Sequence, residues 1–146
     1  MFAMKTTSYG IVAATALVAF IAALAALSVP TKAERQKKFM AALHVDFESS
    51  RVAFEQFVAQ AGSDGGRTGS NLDFSSIRDT PLGKRVARVR RDGNGNLYFV
   101  LEQSRVTFNV GLIWQSGSGD FLGDGEEPRV THTEKLAERW FFYHAS

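Results

Sequence analysis

Four carboxylates, Asp120, Asp124, Glu126 and Glu127, crowd one glycine-containing stretch between Ser116 and Pro128. Oxygen ligands gathered on a pliant loop are what a Ca²⁺ ion requires, which makes Asp120, Asp124 and Glu126 the candidate calcium ligands. Their spacing is not that of an EF-hand, and a solvated acidic loop is the alternative. The three histidines, His44, His132 and His144, fall on an expected helix, an expected strand and the chain end. No HxxxH or HExxH spacing brings two of them onto one helical turn, so they read as surface or boundary histidines. His132 would serve a small hydrolase only if it lined a pocket within hydrogen-bond reach of a hydroxyl or an acid. The absence of cysteine excludes a disulfide framework, a thiolate nucleophile and a Cys-based metal site. Neither a Gly-x-Ser-x-Gly elbow nor a P-loop occurs, and the Gly-rich stretches Gly62–Gly69 and Gly117–Gly125 lack the strand-to-helix context of a nucleotide site. No residue is assigned a catalytic or cofactor-binding role.

Lys84, Arg85, Arg88, Arg90 and Arg91 form the one basic cluster. In an extended strand they point to both faces, so they give no single phosphate-tracking stripe and read as a charge-defended edge strand. The formal charge of +2 is carried by Lys5 and Lys32; without them, 15 basic residues face 15 acidic ones. A neutral balance does not supply the counterion release on which nucleic-acid binding leans, and no nucleic-acid partner is expected.

These residues have to be positioned by a small fold. At 146 residues, with 45% hydrophobic and 22% charged content, the chain suits one globular domain plus a targeting or anchoring segment. Tyr9 to Val29 is 21 residues without a charge, the length that crosses a hydrocarbon core as a helix. Eight of them are alanine, and Ala23-Leu24-Ala25 and Thr31-Lys32-Ala33 have the small-x-small look of a cleavage site. The expectation is an N-terminal anchor or signal segment over 1–30 and an extracytoplasmic α+β domain over 31–146. Lys32, Arg35, Lys37 and Lys38 follow the segment, and by the positive-inside tendency they keep a cytoplasmic orientation in contention.

Thr31-Lys32-Ala33-Glu34 after Pro30 is a capping box. Met40, Leu43, Phe47, Ser50, Phe54, Phe57 and Ala61 then recur at three and four residues, one stripe of an amphipathic helix ending near Ala61. Composition marks Gly62 to Asn71 as a loop. Beyond it the period becomes two. Val106, Phe108, Val110, Leu112 and Trp114 share a strand face, with Ile113 as the exception. Lys84–Arg91 and Leu97–Glu102 flank Asp92-Gly93-Asn94-Gly95-Asn96 as a hairpin. Short strands are expected near Arg129–His132 and Arg139–His144. Trp140-Phe141-Phe142-Tyr143 reads as an aromatic terminal strand completing the core. The predicted fold is α+β: a membrane-spanning helix continuing into a long amphipathic helix packed on an antiparallel sheet of about four strands.

This order of charged start, aromatic Tyr9, apolar segment, Pro30, amphipathic helix, loop and antiparallel sheet resembles type IV pilins and type II secretion pseudopilins. Ser8 stands where that family has the processing glycine, and Ala13 where it has the following glutamate. The resemblance implies a membrane-anchored, non-enzymatic assembly subunit that meets other subunits through its N-terminal helix, where Ala19, Ala22, Ala23 and Ala26 offer small packing surfaces. An anchored or secreted protein-binding module is the alternative reading, and the small hydrolase is a third.

Overall fold

The computed structural model describes residues 6–63, 69, 71–102, 109–117 and 130–145, and among these the side chains of all but 6–14, 27, 28, 63 and 109. It divides into two compact units, 1–41 and 42–146.

The first unit holds helix α1, Thr6–Ser28, and the start of helix α2, Lys32–Ser63. The break between them is built as the residues dictate. The Thr31 N–H donates to Glu34 Oε2 at 2.8 Å and the Glu34 N–H donates to Thr31 Oγ1 at 3.2 Å, the reciprocal capping box. Among the described residues no helix is long and apolar enough to cross a membrane. The described side chains of α1 run from 15 to 26, and six of these twelve are alanine. The expected membrane-spanning helix over Tyr9–Val29, and with it a single-pass protein with an extracytoplasmic domain, is corrected on this finding.

The second unit is one sheet covered by the rest of α2. Strands β1 (Asn71–Leu72), β2 (Val86–Arg91), β3 (Leu97–Leu101), β4 (Asn109–Trp114), β5 (Val130–Ala137) and β6 (Trp140–Ala145) lie in the order β1-β2-β3-β4-β6-β5, every neighbouring pair antiparallel. Among the described residues six strands replace the expected four. Two residues are too few for β1 to show any periodicity, and its pairing on Val89 and Arg90 is set by the sheet. Strand β5 was expected to stop at His132; it runs on to Ala137 because it lies at the sheet's edge, where Thr131, His132, Glu134 and Lys135 face solvent and no alternation is imposed.

The amphipathic stripe does what its spacing predicts. Leu43, Phe47, Ser50, Phe54, Phe57 and Ala61 are all buried. Phe54 packs on Phe99 at 5.1 Å between ring centres, Phe57 on Phe99 at 5.7 Å and Phe47 on Trp140 at 5.5 Å. Each buried aromatic contributes about 1.5–3 kcal/mol, so this seam is the main attachment of α2 to the sheet. Ser50 is the one polar member, and its hydroxyl is used twice: it donates to the Asp46 carbonyl and accepts the Leu82 N–H at 3.0 Å. The helix ends at Ser63, with Gly62 inside its last turn.

The register also gives the sheet a second buried face. Tyr98, Ile113 and Tyr143 are buried away from α2, with Val130, Phe141 and Ala145 partly buried around them. This accounts for Ile113, the residue that broke the alternation of β4. Gly111 is required there, because a Cβ would overlap the Tyr143 ring.

Candidate functional site

On α1 the described side chains are exposed throughout. Leu17, Phe20, Ile21 and Leu24 follow the i, i+3, i+4, i+7 spacing and are 59%, 62%, 56% and 50% exposed. Ala19, Ala22, Ala23 and Ala26 repeat the same spacing two residues later, about 200° around the helix at 3.6 residues per turn. The helix therefore carries a bulky ridge on one side and a shallow alanine surface on the other. Its first turn has no acid and its last turn no base.

On the sheet, the β5–β6 hairpin turns through Glu138 and Arg139, and Arg139 has φ 67°, the only non-glycine residue with positive φ among those described. A left-handed conformation costs a side-chain-bearing residue about 1 kcal/mol or more. Three contacts hold it. Arg139 Nε donates to the Gln115 carbonyl at 2.8 Å, a guanidinium nitrogen donates to the Ser116 carbonyl, and the guanidinium lies 4.3 Å above the Trp114 ring. The Arg139 carbonyl in turn accepts the Gln115 N–H at 2.8 Å. Beside this clamp is a cavity of about 460 Å³ lined by Arg51, Glu55, Val58, Ala59, Gly62, Trp114, Glu138 and Arg139. Its wall is fixed from α2, because Glu55 accepts the Trp140 indole N–H at 2.8 Å. Two guanidinium groups and two carboxylates around an indole suit a polar segment held by its charges. Nothing in the sequence pointed to Arg139, since a two-residue hairpin turn without Gly or Asn carries none of the usual signals.

The residues singled out earlier are dispersed. Asp120, Asp124 and Glu126, the calcium candidates, lie outside the described residues, as does Glu127. Among the described residues no group of three His, Cys, Asp or Glu side chains could hold a metal ion. His44 meets Glu134 at 3.0 Å and its ring stands edge-on to Phe142 at 5.3 Å. His132 pairs across the ladder with His144 and is not among the residues lining the cavity beside Arg139. The basic cluster is divided among tasks. Arg85 Nε donates to Asp46 Oδ2 at 2.7 Å, Arg91 donates to the Ala61 carbonyl at the helix end, and Arg88 and Arg90 lie on the face of Tyr143. Strand β2 is next to the edge rather than at it, shielded by the two residues of β1.

In the hairpin Asp92–Asn96, which composition marks as loop, Asp92 and Asn96 are buried and bonded. Asp92 Oδ1 accepts the N–H groups of Asn94 and Asn96, and Oδ2 accepts from Asn96 Nδ2 and the Tyr98 hydroxyl. Gly95, at φ 82°, supplies the left-handed residue. Asn96 Oδ1 then accepts the Ser116 N–H at 3.0 Å, which positions the chain entering the Arg139 clamp.

Compared with protein families, with characterised proteins and with solved structures, the chain matches none.

Proposed function

We propose that the protein is a non-enzymatic assembly subunit of pilin-like plan, in which α1 packs on the α1 of further copies. The observation that carries this reading is the two-sided surface of α1. A helix with a wide apolar surface is stable in water only when that surface is covered. A bulky ridge of Leu17, Phe20, Ile21 and Leu24 on one side and an alanine surface on the other make one copy complementary to the next. The contact joins two different faces, so it is heterologous and leaves a free face on every added copy; such contacts build rings or open filaments rather than closed two-fold pairs.

The experiment is sedimentation of the full chain beside two variants. Ala22→Leu with Ala23→Leu fills the shallow face, and Phe20→Gln with Ile21→Gln makes the ridge polar. Wild type should form species larger than dimers, and each variant should shift the distribution towards monomer. A wild-type chain that stays monomeric, or that partitions into liposomes as a monomer, contradicts the reading. So does assembly that neither variant changes.

A further inference from the structure

We propose that His132 and His144 form a two-imidazole site for a borderline transition-metal cation such as Zn²⁺ or Ni²⁺ at the β5–β6 edge of the sheet. The residues lie directly opposite one another in the ladder, on the α2 side, with ring centres 5.7 Å apart. Two imidazoles bound to one ion at Zn–N distances of about 2.0–2.1 Å and a tetrahedral angle have ring centres about 5–5.5 Å apart. Small side-chain rotations close that difference.

Two further observations support the site. Neither ring makes a hydrogen bond with any described residue, so no described residue competes with a metal for the nitrogen lone pairs. The ladder also shifts register between Val130 and His132, a bulge of the kind that re-aims a side chain. Glu134, on the same strand face, is held by His44 at 3.0 Å and is not needed as a ligand. The protein supplies two ligands, and water or an incoming group completes the coordination, consistent with the absence of any three-ligand group among the described residues. Imidazole donors favour Zn²⁺, Ni²⁺ and Cu²⁺ over the oxygen-seeking Ca²⁺ and Mg²⁺.

The test is calorimetric titration of the full chain with ZnCl₂ and separately with NiCl₂, alongside His132→Ala, His144→Ala and His44→Gln. One ion per chain is expected in wild type. Losing either member of the pair should weaken binding at least about tenfold, since even outer-shell losses cost a metal site that much. His44→Gln should bind as wild type does. His132 is exposed, so its replacement reports on binding even if His144→Ala disturbs the fold. No binding by wild type, or binding unchanged in His132→Ala, overturns the proposal, as does a loss in His44→Gln equal to that in His132→Ala.

Discussion

Arg139 combines a conformational cost with the contacts that outweigh it, and its variants separate the two. Arg139→Ala keeps the left-handed backbone and deletes the bonds to the Gln115 and Ser116 carbonyls and the stacking on Trp114. It should destabilise by about 1–3 kcal/mol. Arg139→Gly loses the same contacts but adopts φ 67° without strain, so urea midpoints should rank wild type above Gly above Ala. Ser50→Ala leaves the buried Leu82 N–H without its acceptor and should cost about 1–3 kcal/mol by the same measurement. Tyr143 supplies a pH signature. Burial pushes its phenol up to about 12, with Arg88 and Arg90 pulling the other way. The unfolded phenol ionises near 10, so this contribution is whole below pH 10 and is lost as pH climbs from 10 through 12, by about 2–3 kcal/mol. Tyr143→Phe should flatten that fall in stability measured by urea unfolding across the alkaline range.

At the scale of elements, the sequence declared those parts whose pattern repeats. The stripe from Leu43 to Ala61, the capping box at Thr31 and Glu34, and the hairpin around Asp92–Asn96 were legible because spacing or turn chemistry determines them locally. Thr31→Ala should lower the helical circular-dichroism signal of α2 through loss of a cap contributing about 0.5–2 kcal/mol. What stayed hidden depends on partners far away in the chain. β1 exists through pairing with β2, β5 is an edge strand without alternation, and Ile113 is buried because the sheet has a second covered face. The sites follow the same division. Arg139 and the His132–His144 pair arise from strand register, which no local spacing reveals, while the membrane-spanning reading of the N-terminus rested on the uncharged run alone. Gly111→Ala tests the second face directly: the added methyl must displace the Tyr143 ring, and a loss of about 1–3 kcal/mol is expected in thermal or urea unfolding.

At the scale of the whole molecule, the central claim is that copies join ridge to alanine face along α1. The chain contains no cysteine, so introduced thiols report contacts without background. The measurement is disulfide formation between a Leu24→Cys chain and either an Ala19→Cys or an Ala26→Cys chain, the two choices covering antiparallel and parallel neighbours. Mixed chains should cross-link readily while each variant alone does so poorly, because the large and small faces meet each other and not themselves. Cross-linking of Leu24→Cys with itself as efficient as in the mixtures, or none in any combination, would contradict the account.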